Sequence, residues 1–120
     1  MNMEFYKRAI GRIGENEARQ FLINHGYKIV CQNYRVMGCG EIDIIAEDGG
    51  TLVIIEVKKR TNKNFEALEA ITKSKKLRLA KTAEVFLSVN SQYENWPVRF
   101  DVVAIDGVEL ELLKDAFIIY

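Results

Sequence analysis

The chain has 120 residues, of which 48% are hydrophobic and 28% are charged, a balance typical of one globular domain with a hydrophobic core. Seventeen basic and seventeen acidic residues cancel to a formal net charge of zero, so the total charge gives no support to a nucleic-acid partner. No apolar run approaches the roughly 20 residues that a membrane span requires, and the N-terminus is too charged for a secretory signal. We therefore predict a single domain over residues 1–120, in the cytoplasm and without a membrane partner.

The first predicted element is a helix over residues 4–24. At 100° per residue its apolar positions fall on one side, namely Ile10, Ile13, Gly14, Ala18, Phe21 and Leu22. Gly26 suits a left-handed helix cap, and the only histidine, His25, suits the last turn of the helix, so we expect His25 to be a capping or surface residue. His25, Cys31 and Cys39 are only three ligands and cannot complete a tetrahedral zinc site. We expect both thiols to be reduced.

The remaining elements alternate between strand and helix patterns. Three strands over residues 27–35, 41–46 and 52–58 form a predicted meander, and a final strand pair spans residues 98–105 and 109–118. Between them, residues 61–65 read as a loop, residues 66–71 as a short helical piece, and residues 74–88 as a longer helix with an apolar stripe. We predict an α/β (α+β) three-layer domain with a mixed central sheet, in which the longer helix is a right-handed crossover between parallel strands.

The second and third strands carry charges where apolar residues are expected. Glu56 and Lys58 share one face of a strand that is otherwise rich in Ile and Val, because strand side chains alternate with period two. The turn Asp48-Gly49-Gly50 is a strong hairpin signal, and it pairs Asp43 with a residue near positions 54–56. Asp43 is then within reach of a cation held by Glu56.

Two carboxylates and a lysine in this arrangement suit phosphodiester cleavage. Asp43 and Glu56 are hard oxygen ligands of the kind that hold Mg²⁺ or Mn²⁺, and the backbone carbonyl of Val57 adds a further ligand. Lys58 would lie beside the attacking water or the charge that develops on the phosphate. The alternative is a structural ion pair between Lys58 and one of the acids. On the first helix, Glu15 and Glu17 are both candidates for a further site acid, and helical geometry favours neither clearly.

A basic segment follows the third strand. Residues 57–81 contain nine basic and two acidic residues, a net charge of +7, which indicates either an anionic partner or a solvated basic face. Lysines in the first turn of the longer helix oppose its dipole, and they become favourable if a phosphate binds there. We predict nucleic-acid contacts for the basic side chains around the site, which are Lys59, Arg60, Lys73, Lys75, Lys76 and Arg78. Asp101 is either another site acid or, as is commoner, a structural partner of Arg99.

Several short motifs resemble the small bacterial YraN-like proteins of the UPF0102 group. They are Gly14-Glu15-x-x-Ala18, Gly26-Tyr27, Asn33-Tyr34-Arg35, Gly40-Glu41-Ile42-Asp43, Glu56-Val57-Lys58-x-Arg60 and Arg99-Phe100-Asp101-Val102-Val103. By similarity that group belongs to the restriction-endonuclease-like PD-(D/E)XK superfamily, with archaeal Holliday-junction resolvases as relatives. The resemblance implies an α-β-β-β-α-β core in which Asp43 and Glu56 are metal ligands, Glu15 is a helix acid that joins them at the metal, and Lys58 is the catalytic lysine. Glu17 is then structural or a surface residue.

The resulting expectation is a Mg²⁺- or Mn²⁺-dependent endonuclease that acts on DNA, with branched or structured DNA as a candidate substrate. A resolvase role would require two active sites and therefore a homodimer. Two alternatives stay open. One is a non-catalytic nucleic-acid-binding domain that keeps the nuclease fold, and the other is a structural adaptor in which the acids and lysine form a buried salt-bridge cluster without metal affinity.

Overall fold

The computed structural model describes residues 3–59 and 71–117, with side chains of the first helix described from residue 13 onward. The elements in chain order are helix α1 (Met3–Asn24), strands β1 (Lys28–Val36), β2 (Gly40–Asp48) and β3 (Thr51–Lys59), helix α2 (Lys73–Val89), a 3₁₀ turn (Ser91–Tyr93), and strands β4 (Val98–Asp106) and β5 (Glu109–Leu113). This order confirms the predicted succession of helix, meander, helix and strand pair, with boundaries that differ by one or two residues at most element ends.

The five strands form one mixed sheet in the order β1-β2-β3-β4-β5. The pairs β1–β2, β2–β3 and β4–β5 are antiparallel, whereas β3 and β4 are parallel. Parallel neighbours need a crossover connection, and α2 lies in the chain between them. The mixed sheet and the parallel strand predicted from the sequence are therefore confirmed.

The helices cover opposite faces of the sheet. On one face Ala18 and Leu22 of α1 pack against a cluster that includes Val53 and Ile55 of β3. On the other face Leu79, Ala83 and Phe86 of α2 pack against a cluster that includes Leu52 and Ile54 of the same strand. Burial on both faces explains why β3 is a nearly continuous apolar run. Because side chains alternate along a strand, the next residue on the α2 face is Glu56.

The β2–β3 hairpin fixes the register of the centre of the sheet. Asp48 pairs with Thr51, and the two-residue loop between them consists of Gly49 and Gly50, with φ angles of 55° and 89°. Positive φ at both positions is the requirement of a type I′ turn, which glycine meets without steric cost. The paired residues run from this turn to Ile44 and Ile55, so the ladder ends just before Asp43 and Glu56.

Helix α2 begins with a side-chain cap. The hydroxyl of Thr72 accepts a hydrogen bond from the backbone N–H of Lys75 at 3.1 Å, which satisfies one of the free donors at the helix start. The first turn contains no acidic residue. The lysines there therefore face an unfavourable helix dipole, as the sequence indicates.

Three sequence expectations need correction or fall outside the described residues. The last strand ends at Leu113 rather than at residue 118, because the chain turns away at Asp115, whose φ is 52° and whose N–H donates to the Asp101 carboxylate. Ile13 is 58% exposed, so it is not part of the buried stripe of α1. The predicted loop over residues 61–65 lies outside the described residues, as does the helical piece at 66–71 except for Ile71.

Asp101 is a structural partner of Arg99, the commoner of the two roles considered for it. Asp101 is fully buried, and Arg99 Nε and Nη2 donate to its two oxygens at 2.9 Å. Arg99 also donates to Asp48 at 2.8 Å, and the Tyr27 hydroxyl donates to Asp101 at 2.8 Å. A buried carboxylate requires such partners. This network lies on the α1 face, opposite to Glu56.

The predictions for His25 and for the two cysteines agree with the structure. His25 is exposed, its Nδ1 lies 2.8 Å from the carbonyl oxygen of Phe21, and Gly26 has a φ of 87°, as expected for the end of a helix. Cys31 and Cys39 are both free. Among the described residues, no helix is long and apolar enough to cross a membrane.

Candidate active site

The open end of the β2–β3 ladder brings the two strand acids together. Ile44 pairs with Ile55, and continuing this register by one residue places Asp43 opposite Glu56. Instead of a ladder hydrogen bond, the backbone N–H of Val57 donates to the Asp43 carboxylate at 2.8 Å. The side chain of Asp43 thus replaces a backbone acceptor at the position where the strands separate. The predicted proximity of Asp43 and Glu56 follows from this register.

Glu56 is a buried carboxylate with lysines at one of its oxygens. Its side chain is 4% exposed, and its Oε1 lies 2.8 Å from Lys75 Nζ and 3.8 Å from Lys58 Nζ. Its other oxygen, Oε2, is buried without a hydrogen-bond partner. Leaving a buried charged oxygen unsatisfied is costly. A cation bound at Oε2 would remove that cost.

The surroundings of Asp43 disfavour the negative charge of its carboxylate. Burial and the nearby negative charges of Glu56 and Glu15 together raise the pKa of its carboxyl to about 7, although the Val57 N–H and Lys75 act in the opposite direction. Two carboxylates that share one site repel each other unless a proton or a cation lies between them. A raised pKa of this kind is common at functional sites.

Glu15 reaches the same region from the other face of the sheet. Burial raises the pKa of Glu15, and the negative charges of Glu41 and Glu56 raise it too, while a hydrogen bond from the Asn33 side chain lowers it. Glu17 is exposed and lines a separate surface groove with Phe21 and Val108. The structure therefore places Glu15, and not Glu17, at the site. Helical periodicity alone does not make this distinction.

A cavity of about 310 Å³ lies at the end of the ladder. Its charged lining residues come from α1, β2 and α2, and they are Glu15, Glu41, Asp43, Lys75 and Arg78. Gly40 forms part of the wall, where its φ of 146° is one that L-residues rarely adopt. Acids and bases that converge on one pocket form a candidate site for an ionic ligand.

The donor set fits a hard divalent cation. Asp43 and Glu56 provide carboxylate oxygens, the kind of ligand that Mg²⁺ prefers, and the unpartnered Glu56 Oε2 is a free donor atom. Within residues 3–59 and 71–117, no three His, Cys, Asp or Glu side chains are grouped closely enough to hold an ion as they stand. The fit thus rests on two carboxylates, with Glu15 as the additional acid across the cavity.

The predicted nucleic-acid contacts divide between the two faces of the sheet. Lys75 and Arg78 line the cavity, and Lys73 is exposed in the first turn of α2. Lys76 lies over the ring of Phe117, at 5.4 Å from its centroid. Lys59 instead lies next to Gly14 of α1, on the opposite face. Arg60 lies outside the described residues. The structure therefore brings Lys75 and Arg78 to the site and does not bring Lys59 there.

Two features of the site are not predicted by the sequence. The partner closest to Glu56 is Lys75, which was assigned only to phosphate contacts, at 2.8 Å against 3.8 Å for Lys58. Lysine repetition in the first turn of α2 signalled a charged site but could not show which side chain points inward. Asn33 is the second feature. Its side chain hydrogen-bonds to Glu15, and its φ of 54° is unusual for a residue within a strand. The motif Asn33-Tyr34-Arg35 contains this residue but gives it no role.

Comparison with known proteins identifies a family. Residues 14–105 match the uncharacterised protein family UPF0102. A UPF0102 protein from Lachnoclostridium phytofermentans is 46% identical over 116 residues, which cover 95% of this chain and 97% of that protein. A UPF0102 protein from Caldicellulosiruptor bescii is 42% identical, with 92% of this chain and 98% of that protein covered. For one from Herminiimonas arsenicoxydans the identity is 41%, with 92% and 87% covered.

Proposed function

The chain belongs to the UPF0102 family, and we propose that it is a metal-dependent endonuclease that hydrolyses phosphodiester bonds in DNA. The observation that carries this proposal is the buried, unpartnered Oε2 of Glu56, beside an aspartate whose ionisation is disfavoured by burial and by its acidic neighbours. Both features are expected of a cation site before the cation binds. The three-layer fold is compatible with the restriction-endonuclease-like superfamily, and a relation to junction resolvases is part of this proposal.

Each site residue has a separate role in the proposed reaction. Asp43 and Glu56 hold the metal ion, and Glu15 is the further acid of the site. A divalent ion bound there supplies positive charge to the scissile phosphate and lowers the pKa of water. Lys58 lies on the same strand face as Glu56, with its Nζ 3.8 Å from Glu56 Oε1. Its ammonium donates hydrogen bonds to phosphate oxygens as negative charge develops there.

Branched or structured DNA is the substrate form that the proposed relation to resolvases favours. Because the formal charge of the whole chain is zero, binding has to rely on individual basic side chains near the site. Lys75 and Arg78 at the cavity, together with exposed Lys73, are the residues best placed to contact the phosphate backbone. Such contacts position a nucleic acid without reading its sequence.

A cleavage assay tests the proposal directly. Single-stranded, duplex, flap and four-way-junction DNA are incubated with the protein and Mn²⁺ or Mg²⁺, and cleavage is followed on denaturing gels. We expect Lys58→Ala to reduce the cleavage rate by about a hundredfold or more. Lys81→Ala is the matched control, because Lys81 is an exposed lysine of α2. Equal rates for Lys58→Ala and the wild type would contradict the role of Lys58.

Two other functions give different outcomes in the same experiments. A non-catalytic DNA-binding domain would bind these substrates without cleaving them, whether or not metal is present. A structural salt-bridge cluster is favoured by the 2.8 Å contact between Lys75 and Glu56, and it predicts no binding of Mn²⁺ in titration calorimetry. Saturable Mn²⁺ binding that Asp43→Asn abolishes would contradict the salt-bridge cluster, and metal-dependent cleavage would contradict the non-catalytic domain.

A further inference from the structure

Two lysine ammonium groups lie near the same oxygen of Glu56. Lys75 Nζ is the closer, at 2.8 Å, and Lys58 Nζ is at 3.8 Å. The Lys75 side chain is 35% exposed and lines the cavity, whereas the Lys58 side chain is 22% exposed. The cation that neutralises Glu56 in this structure is thus a side chain at the mouth of the site, where an arriving ligand can reach it.

We propose that Lys75 is a positioning residue that occupies Glu56 in place of a metal ion until a nucleic-acid phosphate draws its ammonium away. The inference rests on the proposed function and adds to it a coupling between substrate and metal. Glu56 Oε1 is then bound to Lys75 in the free protein and released when substrate binds. Its partner oxygen Oε2 is already without a hydrogen bond, so the released carboxylate has both oxygens available for a divalent cation.

The position of Lys75 supports two alternative partners. It lies in the first turn of α2, which contains no acidic residue and where the helix dipole disfavours a positive charge. An ammonium there is stabilised by a neighbouring anion, which can be the Glu56 carboxylate or a phosphate. Free N–H groups at a helix start also favour phosphate. The lysine side chain is long and flexible and has no fixed hydrogen-bonding geometry, so it can move between the two anions without moving the helix.

Lys58 is less suited to this role. It is part of β3 and is anchored beside Glu56 on the same strand face, two residues away. Its distance of 3.8 Å from Glu56 Oε1 is longer than a hydrogen bond. Lys58 therefore remains beside the carboxylate when Lys75 leaves, which agrees with its proposed role at the reacting phosphate. Lys58 then contacts the reacting atoms, whereas Lys75 controls access to Glu56.

This arrangement predicts thermodynamic coupling between DNA and metal. If DNA removes Lys75 from Glu56, DNA tightens metal binding, and by linkage the metal tightens DNA binding by the same factor. Loss of the Lys75 charge should tighten metal binding in the absence of DNA, because no internal cation then competes for Glu56. Since partly exposed ion pairs are weak, we expect a change in Kd on the order of five- to tenfold.

Mn²⁺ binding to the full chain tests this inference without relying on activity. Titrations of the wild type, Lys75→Met and Lys75→Arg are followed by the electron paramagnetic resonance signal of free Mn²⁺. Each is repeated with a short duplex of cleavage-resistant phosphorothioate DNA and with a duplex of uncharged methylphosphonate backbone. Lys81→Met is the matched control, because it removes an exposed lysine from the same helix. Urea unfolding of each variant shows whether its fold is intact.

We expect Lys75→Met to bind Mn²⁺ several-fold more tightly than the wild type without DNA, and to gain less from the phosphorothioate duplex by the same factor. Lys75→Arg keeps the positive charge and should bind Mn²⁺ no more tightly than the wild type. Lys81→Met should behave as the wild type, and the uncharged duplex should leave every Kd unchanged. Equal Mn²⁺ affinities of the wild type and Lys75→Met without DNA would overturn the role of Lys75 and leave the metal site standing. No Mn²⁺ binding by either protein would overturn the proposed function together with this inference.

If Lys75→Met fails to fold, the wild type alone decides the question. The charged duplex should then tighten Mn²⁺ binding, whereas the uncharged duplex should not. Mn²⁺ should tighten binding of the charged duplex by an equal factor. A charged duplex that binds and leaves the Mn²⁺ Kd unchanged would overturn the coupling.

Discussion

Replacing Asp43 by asparagine should stabilise the protein in the absence of metal and abolish metal binding. The pKa of the Asp43 carboxyl rises from 3.8 to about 7 because of burial and the negative charges of Glu56 and Glu15. Asparagine keeps an oxygen that accepts the hydrogen bond from the Val57 N–H and removes the charge. The substitution therefore relieves a repulsion that the metal-free fold has to tolerate.

The size of the effect follows from the pKa of Asp43. One pKa unit corresponds to about 1.4 kcal/mol, so the rise from 3.8 to about 7 amounts to about 4 kcal/mol when the carboxylate is fully ionised. The repulsion is shared with Glu56 and the asparagine amide must still be buried, so we expect the variant to gain about 1 to 2 kcal/mol. For a domain of this size, that gain corresponds to a rise in Tm of roughly 5 °C.

The stability that Asp43→Asn gains over the wild type should increase with pH. The folded state binds the Asp43 proton more tightly than the unfolded chain, since its pKa is raised. The free energy of unfolding of the wild type therefore falls as the pH rises from about 4 through about 7, because the bound proton that stabilises the fold is lost. Above that range Asp43 causes no further change. Asp43→Asn lacks this titration, so the two proteins should be similarly stable near pH 4 and should differ most near pH 8.

Urea unfolding over this pH range, with and without Mn²⁺, measures both effects. Saturating Mn²⁺ should raise the free energy of unfolding of the wild type, by about 2.7 kcal/mol at a hundred times Kd, and should leave Asp43→Asn unchanged. Asp106→Asn is the control, because it removes an exposed acid from β4. The reasoning is refuted if Asp43→Asn is less stable than the wild type near pH 8 and still responds to Mn²⁺.

Three further predictions concern other parts of the structure. Glu15→Gln should weaken Mn²⁺ binding or cleavage more than Glu17→Gln, since only Glu15 lines the cavity, and equal effects in calorimetry would remove Glu15 from the site. Asp101→Asn should destabilise the fold by about 3 kcal/mol in urea unfolding, because Arg99 loses a buried partner; a change near zero would contradict this. Arg78→Gln should lower the slope of log K against log salt for DNA binding by about one, and an unchanged slope would place Arg78 outside the interface.

The sequence determined the fold by itself to a large extent, because its signals are local. The Asp48-Gly49-Gly50 turn set the hairpin, and period-two alternation placed Glu56 and Lys58 on one face of β3. The apolar stripe of α2 required a sheet to pack against, and its position between two strands required a crossover. The extent of β5 could not be predicted in this way. Its end depends on the Asp115 N–H that binds Asp101, a contact between residues 14 positions apart.

Local signals predict only part of the candidate site. Register alone brought Asp43 to Glu56, since each lies five residues from the pair that closes the same tight turn. The choice between Glu15 and Glu17 depends on how α1 is rotated over the sheet. A small rotation changes which acid faces the site, and periodicity does not determine that rotation. The same holds for Lys75, Lys76 and Lys73, which are chemically equivalent in sequence.

Only the tertiary structure decided which lysine neutralises Glu56. The strand determines the face on which Glu56 lies, but the partner of a buried charge is set by the distance across the space between β3 and α2. That distance depends on how Leu79, Ala83 and Phe86 pack α2 against the sheet. Residue types and spacing thus determined the elements and the acids of the site, and packing between distant elements determined which cation meets them.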